Sequence, residues 1–243
     1  MYIATLNING TINQNMVSRI MPVLDYVYNK NKVRGLVLII NSGGGDANST
    51  EIIYNKLRKI AEKKPVYSSI LGTGASGAYW LACASEKIFA MPTSIVGSIG
   101  VISISADVSE FLSAAGIRPR ITKIGKYKDM NSPFRPMTDE EQNIYYEIMQ
   151  DVFKRFRDEV KSRRNIKNID DVATGLVFSS SRAKELSLID EIGDTEACIN
   201  DMKNRIKSGI GIKDLTPRGG IISRFISMST DSFFSEFFKN RIS

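Results

Sequence analysis

The sequence predicts an α/β fold built around a mainly parallel sheet, and three observations carry that prediction. The run GLVLIIN, residues 35–41, is continuously apolar and rich in branched residues, as in a strand covered on both faces. Glycine-rich turns follow two such runs and lead into helical periodicity, NSGGGD in one case and LGTGASG in the other, which is the strand–turn–helix order of βαβ units. Beyond residue 138 the pattern changes to a long amphipathic helix.

The elements follow in order. Ile3 to Ile8 reads as a strand that enters an Asn9-Gly10 turn. After GLVLIIN and its glycine turn, Ile52, Ile53, Leu57 and Ile60 recur at helical spacing and predict a helix from about Ala47 to Glu62, with Pro65 as punctuation. VYSSIL is the next strand. A small-residue helix runs through Ala84. KIFAM, GSIGVISIS and RITKI read as further short strands. Thr138-Asp139-Glu140-Glu141 has the spacing of a capping box and starts a helix through about Arg163, with Ile144, Ile148, Val152, Phe156 and Val160 on one stripe. VFSSSRAKELSLIDEIGD reads as turn, helix and strand, with Gly193 as a stop. No internal repeat is evident. The tail beyond about Lys207 is rich in Ser, Gly, Arg and Phe, and reads as a partly ordered terminus or a basic amphipathic segment that touches a membrane or a neighbouring subunit.

Bulk composition narrows the function. The chain has 243 residues, 42% of them hydrophobic, enough for a full core. A net charge of +7 favours acidic surfaces, but the basic residues are dispersed and form no arginine-rich arm, so nucleic acid is not an expected partner. There is no histidine, which excludes a serine-histidine-acid triad and histidine metal sites. Two cysteines, Cys83 and Cys198, make no metal spacing and read as buried small hydrophobes. No cofactor is expected. No run reaches the roughly 18 apolar residues of a membrane span, and the N-terminus lacks the basic start and apolar stretch of a signal peptide. The chain is therefore expected to be soluble or to lack an anchor that was removed.

SSILGTGASGAYWLACAS, residues 68–85, poses the functional question. Gly72-x-Gly74-x-x-Gly77 has the spacing of a dinucleotide loop. That fold wants an acid about 20 residues on, and residues 88–96, IFAMPTSIV, contain none. The other reading is a nucleophile. Ser76 lies between Ala75 and Gly77 where a strand gives way to a helix, and the Gly77 amide would face the same space, a favourable place for a developing oxyanion. A tightly packed small-residue helix is the competing reading. Without histidine a serine needs another base, and a lysine can serve if its amine is neutral. Lys128 lies in IGKYKDMNSPFRPMT, with Pro133, Phe134 and Pro136 expected to shield it; a solvated surface charge is the alternative. The glycines of NSGGGD, residues 41–46, offer either bared amides or a flexible turn.

Taken together, these stretches resemble the signal peptide peptidase (protease IV) family of serine-lysine proteases in its short form. GLVLIINSGGGDANSTEI resembles its first glycine motif, GTGASGAYWLACASEKIFAMPTSIVGSIGV its nucleophile motif, GKYKDMNSPFRPMT its lysine motif, and VATGLVFSSSRAKELSLIDEIGD its closing motif. The resemblance runs from Ile3 to about Arg205 and implies a Clp/crotonase-like fold of repeated ββα units with a helical C-terminal part, hence a peptidase domain over 1–205 and an extension over 206–243. It implies Ser76 as nucleophile, Lys128 as general base, Ser98 as the hydroxyl that holds the lysine amine, and an oxyanion hole from Gly44 and Gly77 with Gly45 supporting the turn. Lys126 receives no role. Gly43 stands where the family has a proline. The resemblance further implies unfolded or signal-peptide substrates, a ring of identical subunits that complete one another's sites, and work at a membrane, on the extracytoplasmic side of a bacterial inner membrane. A crotonase-type acyl-CoA enzyme and an inactive ring scaffold are the competing readings; no glutamate lies in either glycine loop to serve the first.

Overall fold

The computed structural model describes residues 1–206 and 210–217. Strand β1 (Tyr2–Asn9) is followed by helix α1 (Gln14–Asn29), strand β2 (Val33–Ser42), helix α2 (Ala47–Ala61), strand β3 (Val66–Ala75) and the short helix α3 (Gly77–Ala82). Strands β4 (Lys87–Ala90) and β5 (Ile95–Gly97) come next, then the short helix α4 (Ser109–Ala114) and the long helix α5 (Asp139–Arg163). Strand β6 (Val177–Ser179), helix α6 (Ser180–Glu185), strand β7 (Glu191–Ile192), helix α7 (Thr195–Ile206) and strand β8 (Gly211–Asp214) complete the fold.

The strands form one sheet in the order β6-β5-β3-β2-β1-β8, with β4 on β3 and β7 on β4. Every pairing is parallel except β5 with β6. Strand β3 changes partners along its length: Tyr67–Ile70 pair with β4 and Thr73–Ala75 with β5. The central strands are apolar on both faces because both are covered. Ala4, Leu6, Ile8, Leu36, Leu38 and Ile40 pack in the core with α1 and α2, while Ile3, Val37 and Tyr67 pack with Cys198, Ile199 and Met202 of α7. This is the period-2 alternation of a strand, with apolar residues at both phases.

The caps are local and read well from sequence. Asp46 accepts the Ser49 amide at 2.7 Å and starts α2. Thr138 and Glu141 make the reciprocal capping box of α5. Helix α1, for which sequence reading offered no assignment, is capped by Asn13, which accepts from the Met16 amide.

Three expectations are corrected. Residues 120–124, RITKI, form no strand; the segment is exposed and no neighbouring strand lies beside it to pair. Of GSIGVISIS only Gly97 continues a strand, because Gly97 and Ser98 both take positive φ, 109° and 51°, and the chain leaves the sheet. The stretch VFSSSRAKELSLIDEIGD begins with strand β6 rather than a turn. In addition, the sheet extends past the expected boundary at 205: β8 pairs with the edge of β1. Residues 218–243, most of the expected extension, lie outside the described residues.

Candidate active site

Parallel pairing brings the two glycine loops together. Ser42 at the end of β2 stands opposite Gly74 near the end of β3, so residues 43–45 and 75–77 emerge side by side at the carboxyl ends of adjacent strands, where ligands of open α/β sheets bind.

Ser76 occupies the turn between β3 and α3 with φ 53° and ψ −128°, a region that costs a residue with a Cβ of order 1–3 kcal/mol. Its amide donates to the Gly97 carbonyl at 2.8 Å, which fixes the strained turn to β5. The neighbouring loop approaches as closely as backbone allows. A Cβ on Gly44 would stand 2.7 Å from the Gly77 nitrogen and 2.8 Å from the Ser76 Cβ, and one on Gly77 would meet Thr50 Oγ1 at 2.5 Å.

The glycine amides divide their roles differently from the sequence expectation. The Gly44 amide donates to Ser42 Oγ at 3.1 Å, and that hydroxyl donates to the Gly10 carbonyl at 2.5 Å; Ser42 is buried. The Gly44 carbonyl accepts from the Ile12 amide at 2.9 Å. Because a trans peptide aims its C=O and N–H in opposite directions, the Gly45 amide points away from Ile12. Gly45 lines a cleft of about 340 Å³ together with Ser76 and Gly77. The Gly44 amide is thus engaged by Ser42, while Gly45 and Gly77 both border the cleft at Ser76.

Ser98 shares a second cleft with Ser76, of about 460 Å³, bounded by Val101, Met149, Phe153 and Thr174. Its amide donates to the Leu176 carbonyl at 2.7 Å, which holds its positive φ. Among the described residues no lysine or arginine lines either cleft, and the one carboxylate there is Asp46, kept below the usual carboxylate range by its hydrogen bonds from Ser49 and occupied as a helix cap.

Lys128 lines neither of the two clefts that Ser76 lines. It sits exposed in a turn, its amide donating to the Gly125 carbonyl at 3.3 Å. Pro133, Phe134 and Pro136 are themselves exposed and do not shield it, contrary to expectation: residues 99–138 contain only α4 as regular structure and form no core that could cover a side chain. Lys126 is engaged by Glu140 at 2.6 Å, a contact that raises its pKa and suits it to no proton-accepting role. Burial pushes both thiols, Cys83 and Cys198, up to about 12, so neither is a nucleophile.

Two contributors escaped the sequence reading. Ser42 carries the hydroxyl that orders the glycine loop; its signal was only a small polar residue ending an apolar run. Trp80 of α3 stacks on Phe156 of α5 with centroids 4.9 Å apart, which ties the helix behind Ser76 to the helix that walls both clefts. The signal was an aromatic at the right phase of each helix.

The structure thus sets a strained serine at a strand–helix turn beside a glycine loop, on a mainly parallel sheet of Clp-type α/β fold. Comparison with known proteins agrees. Residues 58–208 match the model of Peptidase family S49, and residues 3–106 match that of Clp protease. The chain belongs to peptidase family S49. It is 34% identical over 183 residues to a protein of Methanocaldococcus jannaschii named "Putative protease MJ0651", covering 74% of this chain and 59% of that one. It is 30% identical over 219 residues to the "Putative signal peptide peptidase SppA" of Enterococcus faecium, covering 84% of this chain and 64% of the relative. With "Protease 4" of Salmonella typhi it shares 32% over 171 residues, 69% of this chain and 28% of that protein. The chain thus spans about three fifths of the first two relatives. Among the described residues no helix is long and apolar enough to cross a membrane.

Proposed function

We propose that the protein hydrolyses peptide bonds through an acyl-enzyme at Ser76, with Lys128 of a neighbouring copy as general base. The observation that carries this reading is the strained Ser76 turn packed against the Gly44–Gly45 loop. Oγ attacks the peptide carbonyl, the oxyanion falls between the Gly45 and Gly77 amides, and the lysinium protonates the leaving amine before water resolves the ester. Ser98, in the same cleft as Ser76, accepts from the lysine amine and orients it.

Assembly supplies what the single chain lacks. Lys128 and the apolar Ile102, Ile104, Phe111 and Ile124 are all exposed on one irregular stretch, and an exposed apolar surface of this kind suits contact with another protein. Burial there would favour the neutral amine that a lysine base requires. The apolar walls of both clefts favour extended, unfolded segments with small or apolar residues at the cut, such as signal-peptide remnants near a membrane. A crotonase-type reaction is disfavoured, since among the described residues Asp46 is the sole acid lining either cleft and it caps α2.

The test is cleavage of casein by the wild type, Ser76→Ala and Lys128→Ala, with oligomeric state followed by light scattering. Loss of activity in both variants with assembly intact is expected. Full activity in Lys128→Ala would reject the serine-lysine reading, and full activity in Ser76→Ala would reject the nucleophile.

A further inference from the structure

The irregular stretch that bears Lys128 meets the start of α5 through two sets of polar contacts, Lys126 and Tyr127 on Glu140 and a denser set around Arg135, and neither lines the clefts that Ser76 lines. Arg135 reaches two carboxylates at once. Its Nε donates to Asp129 Oδ2 and its Nη2 to Asp129 Oδ1, both at 2.9 Å. Its Nη1 donates to Glu141 Oε2 at 2.8 Å and its Nη2 to Glu141 Oε1 at 2.6 Å. Asp129 is the residue after Lys128 and is also paired with Lys123. Glu141 is buried and is the third residue of α5, where its Oε2 also accepts the Thr138 amide at 3.0 Å. These contacts hold the Asp129 and Glu141 carboxyls below their ordinary range, with Arg135 the main cause in both.

We propose that Arg135 is a positioning residue for the general base, a planar fork that fastens the Lys128 turn to the first turn of α5. The inference rests on Lys128 being the base. The fork has a mechanical consequence because α5 is itself fixed behind the nucleophile: Phe156, further along the same helix, stacks on Trp80 of α3, which Ser76 begins. Through Asp129, Arg135, Glu141 and α5, the lysine of each copy is referred to the rigid frame of that copy's own serine. A symmetric assembly then repeats one serine–lysine geometry at every interface. The stretch has no core of its own, and the other ties of the turn are solvent-exposed single contacts: Lys126 and Tyr127 each reach Glu140 at 2.6 Å and Lys123 reaches the Lys126 carbonyl, so the fork is the half-buried, bidentate one among them. Arginine suits this role better than lysine because two bidentate contacts need a rigid planar donor set.

The experiment measures kcat and KM per active site, with sites counted by fluorophosphonate labelling, for wild type, Arg135→Ala, Arg135→Lys, Glu141→Gln and Lys128→Ala, at an assembly state confirmed by light scattering. Misplacing a catalytic group by about 1 Å costs on the order of 100-fold. Arg135→Ala should therefore lower kcat by at least about 10-fold and leave KM within about 2-fold, and Arg135→Lys should not restore it. A merely structural role would lower the count of active sites or the melting temperature and leave kcat per site unchanged. If Arg135→Ala fails to assemble, Glu141→Gln decides, because the amide keeps the oxygen that caps α5 and loses the charge of the fork. Wild-type kcat in Arg135→Ala or in Glu141→Gln, or full rescue by Arg135→Lys, overturns the proposal. Loss of activity in Lys128→Ala alongside wild-type Arg135→Ala would defeat the fork alone, whereas full activity in Lys128→Ala would defeat the underlying reading of the base.

Discussion

The half of the site built on the sheet and the half carried by residues 99–138 are made by different physics. Ser76, Gly44, Gly45 and Gly77 stand at the ends of strands that fully bury Leu38, Ile40 and Ile70. Their positions are over-determined, and that is why a serine can be held at φ 53°. The stretch with Lys128 has one short helix, exposed isoleucines and a cluster of ions. Ser76, the proposed nucleophile, is held by one chain's core, while Lys128, the proposed base, stands on a surface with exposed apolar residues.

The largest effect that would break this contrast is at the sheet. Gly44→Ala places a Cβ against the Gly77 nitrogen and the Ser76 Cβ at a backbone φ of 97°, which a side chain rarely adopts. The amide donors must then move, and loss of a single oxyanion donor costs on the order of 100-fold or more in kcat. Activity should fall at least that far while far-UV circular dichroism remains that of the wild type. Near-normal turnover would show that the frame around Ser76 yields, and the contrast would lose its first half.

A paired substitution sharpens the comparison. Leu38→Ala removes side-chain atoms from a fully buried site and should lower unfolding stability by about 2–5 kcal/mol. Ile124→Ser, at a residue 95% exposed, should leave the stability of the isolated chain within about 0.5 kcal/mol and weaken assembly. Denaturant melts at low protein concentration, set beside light scattering at high concentration, separate the two. An Ile124→Ser chain that assembles normally would remove this residue from the interface.

What was legible in the sequence follows the same division. Strands β1 to β4 and helices α2 and α5 announced themselves through periodicity and caps, since their burial lies within the chain. Helix α1 went unassigned although Val17, Ile20, Leu24 and Val27 sit at helical spacing behind the Asn13 cap; Pro22 within it argues against a helix when propensity is read locally. RITKI alternates like a strand but has no neighbour to pair with, and pairing is not a local property. At the site, the motifs located both glycine loops and the strained serine. They gave the amide role to Gly44 and a supporting role to Gly45, and could not show that the Gly44 amide is engaged by Ser42, whose hydroxyl is in turn held by Gly10, distant in sequence. The shielding expected for Lys128 failed for the reason that defines its region: among the described residues no core forms around Pro133 and Phe134, which stay exposed.

The smallest effect concerns pH, and it tests whether the two halves come apart in order. Glu141 is held at about 2 and Asp129 lower still, first by Arg135; in unfolded chain such carboxyls titrate near 4. A carboxylate whose folded pKa is depressed contributes stability that is complete above the unfolded value and is lost as pH falls towards the folded one. The fastening of the 99–138 stretch should therefore be intact at neutral pH and weaken between about pH 4 and pH 2. The sheet core around β1, β2 and β3 carries no such carboxylate among its buried side chains. Amide exchange, corrected for intrinsic rates, should rise across residues 123–141 on going from pH 6 to pH 3 while β1–β3 stay protected. Arg135→Ala should abolish most of that difference by loosening the stretch already at pH 6. Equal protection of the stretch at both pH values would mean that the ion cluster does not fasten it, and simultaneous loss of protection in both regions would mean that they unfold as one unit.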